Sequence, residues 1–277
     1  MPKSIKDKVK LANGVEMPWF GLGVYKVKDG EEVINAVKAA LECGYIHIDT
    51  ATLYQNEKGV GQAIREFGIP REEVFITSKV WNDDQGYEST LRAYETSLKN
   101  LQTDYLDLYL IHWPVRGKFK ETWRAMEKLY KEGRVRAIGV SNFHVHHLKD
   151  LLSTAEIKPM VNQIEYHPHL TQKEVHEFCK KEGIQLEAWS PLKRGTLLDE
   201  PTLVEIGKKY GKTAAQVILR WDLQNKVVTI PKSVRPERIR ENADIFDFEL
   251  SPEDMERINA LNKNERIGSN PDKYDTM

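Results

Sequence analysis

The sequence has few cysteines and almost no net charge, and each scarcity excludes a class of protein. Cys43 and Cys179 are the only cysteines among 277 residues, so a network of disulfide bridges is excluded and a reducing, cytoplasmic location is expected. We expect both to be small buried hydrophobic residues rather than reactive thiols. Lysine and arginine total 41 and aspartate and glutamate 42, giving a net charge of −1. That balance offers no general attraction to nucleic acid or to an anionic membrane.

Long apolar runs and flexible linkers are also missing, and no signal peptide is expected. No uninterrupted apolar stretch reaches the about 18 residues that a membrane span requires. Residues 1–8 carry charges and no apolar core, which is unlike a signal peptide. Because no segment rich in proline, glycine or serine divides the chain, we predict a single domain over residues 1–277. A monomer is the default expectation.

What the sequence does contain is a recurring unit of a short apolar run, a loop and a helical period. Eight apolar runs follow one another: Phe20–Val24, Tyr45–Ala51, Val74–Val80, Leu106–His112, Val135–Asn142, Met160–Tyr166, Ile184–Ser190 and Val227–Ser233. Amphipathic helical periods lie between them in Gly30–Cys43, Gly86–Leu101, Phe119–Lys131 and Thr171–Lys181. Apolar strands that alternate with helices indicate a parallel sheet covered on both faces, and eight units predict an α/β protein with a (β/α)₈ TIM barrel.

Segments outside this repeat predict additions to the barrel. Asn13-Gly14 separates two short apolar runs and is typical of a β-hairpin turn, which we place across the bottom of the barrel. Thr171 and Glu174 predict a capping box at the start of one helix. The segment Asp199–Gln224 is long enough for two helices, and Ser251–Leu261 predicts a last helix before a polar tail. Extra helices near the C-terminus are therefore expected.

Polar residues stand at the end of nearly every apolar run, where barrel enzymes place their chemistry. They are Asp49, Lys79, His112, Ser141, Asn142, Gln163, Ser190, Lys232 and Ser233, with Gly23 and Trp189 at the same phase of their own units. Random surface loops would not concentrate polar side chains at one phase of each repeat. The C-terminal end of the predicted barrel is therefore the candidate site.

Asp49, Tyr54 and Lys79 have two interpretations. In the structural one, Asp49 caps the next helix, Tyr54 packs its ring, and Lys79 forms a salt bridge with Asp49. In the functional one, Asp49 holds Lys79 beside Tyr54, and the ammonium lowers the pKa of the phenol, which is ~10 when unperturbed. Tyr54 would then be a better proton donor near neutral pH.

His112 and a group of aromatic residues follow the same strand ends. A lone strand-end histidine is often structural, but beside a tyrosine acid its ring N–H can orient a substrate carbonyl. Tyr25, Trp81 and Trp113 are expected to wall an apolar substrate pocket together with Tyr54 and His112. The alternative for the aromatic residues is packing in the core.

Five motifs, read together, resemble the aldo-keto reductase family: Asp49-Thr50-Ala51-x-x-Tyr54, Ser78-Lys79-Val80-Trp81, Ile111-His112-Trp113-Pro114, Ile138-Gly139-Val140-Ser141-Asn142-Phe143 and Ile230-Pro231-Lys232-Ser233-Val234. The resemblance covers Gly21 to about Asn242 and is strongest to the compact bacterial branch, which includes glyoxal and methylglyoxal reductases. It implies a barrel that reduces aldehydes and some ketones with NADPH. It also implies that Asp49, Tyr54, Lys79 and His112 are catalytic, with Tyr54 as the proton donor.

The same resemblance implies a set of cofactor-binding residues. Ser141, Asn142 and Gln163 match positions that bind the nicotinamide carboxamide, and Trp189 matches the aromatic residue that stacks on the ring. Ser190 and Leu192 match the pyrophosphate loop. The remaining matches are Gly23, Val24 and Asp49 near the first strands, and Lys232, Ser233, Val234, Arg235, Arg238, Glu241 and Asn242 at the adenosine end.

The basic run after the last strand carries the prediction of cofactor identity. Pro236 suits a first helical position, and helix N-termini attract anions. Lys232, Arg235 and Arg238 add positive charge there. The family that the chain resembles often has Ser or Thr at the position of Arg235, so Arg235 adds a charge and removes a helix cap. The alternative is a solvated basic helix face. We predict NADPH in preference to NADH.

Other features limit or oppose this interpretation. The loops Val115–Lys118 and Leu192–Leu198 and the tail after Leu261 are short, which predicts an open pocket. His144, His146 and His147 suggest a metal, but no cysteine or carboxylate nearby completes a set, so none is expected. The competing functions are a cofactor-sensing regulatory subunit on the same fold and an unrelated phosphate-binding barrel isomerase.

Overall fold

The computed structural model, which describes residues 1–276, contains the predicted barrel. Eight parallel strands form one sheet in chain order: β3 (Leu22–Gly23), β4 (His47–Asp49), β5 (Phe75–Val80), β6 (Leu106–Ile111), β7 (Val135–Ser141), β8 (Val161–Glu165), β9 (Gln185–Trp189) and β10 (Val228–Thr229). The ends of the sheet meet, because the backbone N–H of Gly21 donates to the Thr229 carbonyl at 3.0 Å and that of Gly23 to Pro231 at 3.2 Å. All eight predicted strand runs are confirmed.

The helices cover the outside of the sheet in the predicted order. They are α1 (Glu31–Glu42), α2 (Glu57–Phe67), α3 (Tyr87–Leu101), α4 (Phe119–Lys131), α5 (Val145–Leu152), α6 (Lys173–Glu182), α7 (Pro201–Tyr210), α8 (Ala214–Gln224), α9 (Pro236–Ala243) and α10 (Pro252–Asn259). The two helices expected between β9 and β10 are α7 and α8, and the expected last helix is α10. Within residues 1–276, no helix has both the length and the apolar character needed to cross a membrane.

The N-terminal hairpin lies where the sequence predicts it. Strand β1 (Lys8–Lys10) pairs antiparallel with β2 (Glu16–Pro18), and Gly14 in the turn has a φ of 89° that favours glycine. The Asn13 side chain donates to the Arg136 carbonyl at 3.0 Å. Because Arg136 is near the start of β7, the hairpin covers the N-terminal end of the barrel.

Two local predictions are wrong. Helix α6 begins after Gln172, which has a left-handed φ of 42° and caps nothing through its side chain. The Thr171 backbone N–H instead donates to Asn262, so a contact with the tail replaces the predicted capping box. Cys43 follows α1 and is only half-buried, whereas Cys179 is fully buried as expected, and both are free thiols.

One carboxylate joins three strands at the bottom of the barrel. Asp107 on β6 is 1% exposed. Its Oδ2 accepts from Arg71 Nη2 at 2.8 Å and from the Ile76 backbone N–H at 2.9 Å, and its Oδ1 accepts from Arg136 Nη1 at 2.9 Å. These contacts connect β6 to β5 and β7, at the end of the barrel where stability rather than chemistry is usually determined.

We predict that Asp107→Ala lowers the free energy of unfolding by about 2–4 kcal/mol, because the buried Ile76 N–H loses its acceptor and the Arg71 and Arg136 guanidinium groups lose their carboxylate partner. Urea denaturation monitored by circular dichroism measures this. The control is Glu121→Ala, which removes an exposed pair with Arg124 and should change the unfolding free energy very little. Equal effects of the two substitutions would contradict the importance of the buried carboxylate.

Candidate active site at the carboxyl ends of the strands

The predicted strand-end residues lie together at one end of the barrel. Asp49 ends β4, Lys79 lies near the end of β5, and His112 directly follows β6. Ser141 ends β7 and is paired in register with Gln163 of β8. Because neighbouring parallel strands end at the same rim, side chains distant in sequence are brought into contact.

A fully buried lysine is at the centre of the site. Lys79 has no exposed surface, and its Nζ donates to Asp49 Oδ1 at 2.6 Å, to the Thr50 carbonyl at 3.0 Å and to Tyr54 Oη at 3.2 Å. The second oxygen of Asp49 accepts from Gln163 Nε2 at 2.7 Å. All three ammonium protons therefore have acceptors, and one of these acceptors is the Tyr54 phenol.

The electrostatics of this group correct one prediction. Burial is the largest single influence on Lys79 and lowers its pKa, but the charges and hydrogen bonds of Asp49 and Tyr54 together exceed it and raise the Lys79 pKa above its ordinary value. For Tyr54, burial raises the pKa and Lys79 lowers it, and burial prevails. The expected effect of Lys79 on Tyr54 is therefore in the predicted direction, whereas the expected net lowering of the phenol pKa is wrong.

The loop that carries Tyr54 is fixed by a buried asparagine. Tyr54 ends a short 3₁₀ turn, Thr52–Tyr54. Two residues later, Asn56 Nδ2 donates to the carbonyls of Val24 and Val27, both at 2.9 Å, and its Oδ1 accepts from Thr50 at 2.7 Å. Sequence reasoning missed Asn56, because an asparagine in a loop gives no sign of its distant partners.

His112 is positioned as a neutral polar group within an aromatic wall. Burial, assisted by Lys79, lowers its pKa well below the ordinary value. Its ring centroid lies 5.8 Å from that of Tyr54 and 5.3 Å from that of Trp81, while Tyr25 lies 5.2 Å from Tyr54. Its Nδ1 is enclosed without a hydrogen bond among the described residues, which leaves Nε2 as the accessible ring nitrogen.

The C-terminal tail forms part of the same wall. Tyr274, in a 3₁₀ turn at Pro271–Asp275, packs on Trp113 with ring centroids 5.1 Å apart. Gly268 passes so close to Trp189 that a Cβ there would lie 2.4 Å from an indole carbon. The backbone N–H groups of Ile267 and Gly268 donate to the Glu165 carboxylate. The short tail therefore packs against this side of the predicted pocket, and the openness of the pocket stays a prediction.

The residues predicted to bind the nicotinamide carboxamide are connected to one another. Ser141 Oγ donates to the Gln163 carbonyl at 2.7 Å, and Asn142 Nδ2 donates to the His112 carbonyl at 3.0 Å. Trp189 Nε1 donates to Asn142 Oδ1 at 2.8 Å, which orients the indole ring. Asn142 has a left-handed φ of 63°, a conformation that asparagine tolerates better than most residues.

The two predicted phosphate-contacting regions flank the rim. After β9, Ser190 has a left-handed φ of 48° and starts a turn through Leu192 into Lys193, whose ammonium pairs with Glu265. Gly23 forms a parallel β-bridge with Lys232 at the seam of the barrel, where the first and last strands meet. The Val24 backbone N–H donates to the Asp49 carbonyl.

At the start of α9, the predicted cation cluster is divided. Ser233 Oγ accepts from the Arg235 N–H at 3.1 Å. Arg235 forms an ion pair with Glu237 at 2.7 Å, which largely compensates its charge. Lys232 and Arg238 are exposed and make no ion pair among the described residues. These two cations, beside a helix N-terminus, suit a phosphate group. Further along the helix, Val234 and Glu241 are half-buried and Asn242 is buried.

The histidine cluster lies outside the active site, and the tail brings carboxylates to it. His144 Nδ1 is 2.7 Å from Asp272, His146 Nε2 is 2.9 Å from Asp275, and His147 Nε2 is 2.7 Å from Asp275. The prediction that no carboxylate completes the set is therefore wrong. It considered only residues near the histidines in the sequence, whereas Asp272 and Asp275 lie far along the chain.

The tautomers of His144 and His147 follow from the hydrogen bonds of the ring nitrogens that do not face the aspartates. His147 Nδ1 accepts from the His144 backbone N–H at 2.9 Å, and His144 Nε2 accepts from Arg266 at 2.8 Å. In neutral rings, the nitrogens that face the aspartates must then carry the protons. We interpret the cluster as a hydrogen-bonded attachment of the tail to α5, and the absence of a metal stays a prediction.

Comparisons with known proteins agree with this geometry. A sequence model of the Aldo/keto reductase family matches residues 19–263. The chain is 68% identical to a glyoxal reductase of Bacillus subtilis over 99% of both chains, and 47% identical to the methylglyoxal reductase DkgA of Salmonella typhimurium over 96% of this chain and 97% of that one. A solved structure of a Gox0644 mutant in complex with NADPH superposes with a TM-score of 0.91 at 44% identity, covering 96% of this chain and 97% of that chain. The chain belongs to the aldo/keto reductase family.

Proposed function

We propose that this enzyme uses NADPH to reduce small reactive aldehydes and ketones, with glyoxal and methylglyoxal among its substrates, and that Tyr54 supplies the proton. The observation that carries the proposal is the simultaneous contact of the Lys79 ammonium with Asp49 and Tyr54 at the rim of the barrel. The glyoxal and methylglyoxal reductases among its relatives support the choice of substrate.

The proposed chemistry divides among four side chains. NADPH supplies a hydride to the carbonyl carbon, and Tyr54 donates its phenolic proton to the carbonyl oxygen. Lys79, 3.2 Å from the phenol oxygen, stabilises the negative charge that remains on Tyr54. Asp49 keeps Lys79 charged and in place, and neutral His112 orients the carbonyl through its accessible nitrogen.

The polar side chains at the rim of the barrel suit the groups of NADPH that they would bind. Ser141, Asn142 and Gln163 suit a carboxamide, because each has donors or acceptors at the strand ends, and Trp189 offers its indole face beside them. Gly23, Val24, Ser190 and Leu192 flank the path toward the phosphates. At the adenosine end, Lys232, Ser233 and Arg238 would bind the 2′-phosphate, and Val234, Arg235, Glu241 and Asn242 would hold the adenine.

The pocket suits a small carbonyl compound. Tyr25, Trp81 and Trp113 form apolar walls near Tyr54 and His112, and Tyr274 of the tail supports Trp113. Apolar walls exclude water, which strengthens the polar contacts at the floor.

We propose that the enzyme acts as a monomer, because one chain supplies every residue in this scheme.

We predict that Tyr54→Phe lowers kcat for methylglyoxal reduction about 100-fold or more, because the ring is kept and the proton is removed. NADPH oxidation followed by absorbance measures the rate. Binding of NADPH, followed by quenching of tryptophan fluorescence, should be preserved. An active Tyr54→Phe enzyme would rule out this residue as the acid.

Lys79→Met tests whether the lysine acts on the phenol. Because Lys79 lowers and burial raises the Tyr54 pKa, the substitution should raise that pKa further. The rise of alcohol oxidation with pH, which requires the phenolate, should therefore move to higher pH as kcat falls. Asp107→Ala is the control, since it destabilises the fold far from the site. A lower melting temperature with an unmoved pH profile in Lys79→Met would show a structural role only.

Arg238→Ala tests the proposed recognition of the 2′-phosphate. Loss of a charge-assisted hydrogen bond of about 1.5–3 kcal/mol should weaken NADPH binding roughly ten- to a hundred-fold and leave NADH nearly unaffected. Rising salt should weaken NADPH more than NADH. Arg240→Ala is the matched control, because it removes the same charge from the same helix about 200° around its axis. Equal losses for NADPH and NADH would mean that Arg238 only supports the loop.

A further inference from the structure

A carboxyl group and an imidazole face each other inside the barrel, below the proposed active site. Glu187 on β9 and His47 on β4 are both 0% exposed, and Glu187 Oε1 lies 3.6 Å from His47 Nε2. Among the described residues, neither oxygen of Glu187 and neither ring nitrogen of His47 makes a hydrogen bond of good geometry. The Gln163 side chain is nonetheless close enough to Glu187, and the Pro18 backbone close enough to His47, to oppose the effect of burial on their pKa values. Gly21 makes room for the imidazole, since a Cβ there would lie 2.6 Å from the ring.

Glu187 lies on the strand next to Gln163, the residue that holds Asp49 of the proposed catalytic group. It pairs in register with Gln163 of β8, and the Gln163 amide donates to Asp49. The ionisable groups that face Glu187 are His47 at 3.6 Å, Asp49 and Lys79. No lysine or arginine of residues 1–276 lies within 4 Å of its carboxyl group, and Lys79 is already bound to Asp49.

The charge state of Glu187 follows from these surroundings. A fully buried carboxylate without a paired cation is costly and is neutralised by a proton instead. The negative charge of Asp49 acts in the same direction, and together with burial it raises the pKa of Glu187 to about 8. Burial lowers the pKa of His47 to about 3. Both groups are therefore neutral near pH 7, with the acid able to donate toward the imidazole.

We propose that Glu187 is a positioning residue that serves the enzyme as a neutral carboxylic acid facing His47, so that Asp49 provides the single negative charge beneath Lys79. The protonation of Glu187 stands on its burial and its neighbours alone. Its effect on catalysis rests on the proposed function, because it acts through Asp49, Lys79 and Tyr54.

The consequence for catalysis has a definite sign. When the pH rises through about 8, ionised Glu187 adds a second buried negative charge near Lys79. That charge holds protons more tightly on Lys79 and Tyr54, so Tyr54 becomes a weaker proton donor and reduction slows. Glu187→Gln keeps the size and the neutrality of the acid at every pH and should remove this decline.

The consequence for stability is independent of catalysis. A carboxyl pKa raised by folding adds stability that is complete below the unfolded value of about 4.3 and is lost as the pH rises through the folded value. The melting temperature of Glu187→Gln relative to the native protein should therefore increase between about pH 5 and pH 8, by several degrees.

Infrared spectroscopy tests the charge state directly. The difference spectrum between the native protein and Glu187→Gln at about pH 6.5 should contain the carbonyl stretch of a protonated carboxylic acid. The matched control is Asp222→Asn, which removes another buried carboxyl with a raised pKa, bonded to Thr229 of β10. If Glu187→Gln does not fold, the band of Glu187 can be followed in Asp222→Asn, in which Asp222 no longer contributes. The intensity of that band should fall as the pH rises through about 8. A missing band overturns the proposal.

Kinetics test the positioning role. The ratio of kcat for Glu187→Gln to native kcat should rise at least about threefold from pH 6.5 to pH 9.5, whereas the same ratio for Asp222→Asn should stay constant. Parallel pH profiles for Glu187→Gln and the native enzyme would overturn the positioning role. The infrared band should persist in Tyr54→Phe. An active Tyr54→Phe enzyme with the band intact would refute the proposed function while leaving the protonation of Glu187 established.

Discussion

The rim of this barrel depends on the need of one buried ammonium for three acceptors. Lys79 has no contact with solvent, so each N–H must be satisfied by the protein. The acceptors come from the end of β4, from the peptide that follows it, and from the loop that carries Tyr54. A single side chain thereby fixes a strand, a loop and a phenol relative to one another.

Polar contacts continue from that lysine across the mouth of the barrel. Gln163 binds the second oxygen of Asp49 and joins β8 to β4 through the interior. On the neighbouring strand, Asn142 receives the indole N–H of Trp189 and donates to the His112 carbonyl. Groups that serve proton transfer and groups that face the cofactor thus share one framework, and a displaced strand would disturb both.

The sequence predicts the barrel well because its information is local. Each apolar run and each helical period lies within a short window, and the strand-end positions follow from the run boundaries. Contacts between distant segments are not visible in such windows. The tail residues Asp272 and Asp275 contact His144 and His147, which lie more than 100 positions away in the sequence, and Glu187 faces His47 across the barrel. The raised pKa of Tyr54 is not visible in such windows either, because the burial that causes it depends on the whole assembled rim.

The seam of the barrel also bears on how the chain can fold. The edges that meet there are β3 and β10, the shortest strands of the sheet with two residues each. They pair only after about 200 intervening residues have been arranged. Until then the sheet has two free edges, which are sites for pairing between molecules. Because those edges are so short, an unclosed intermediate presents few backbone groups to a neighbouring chain, which limits aggregation during synthesis.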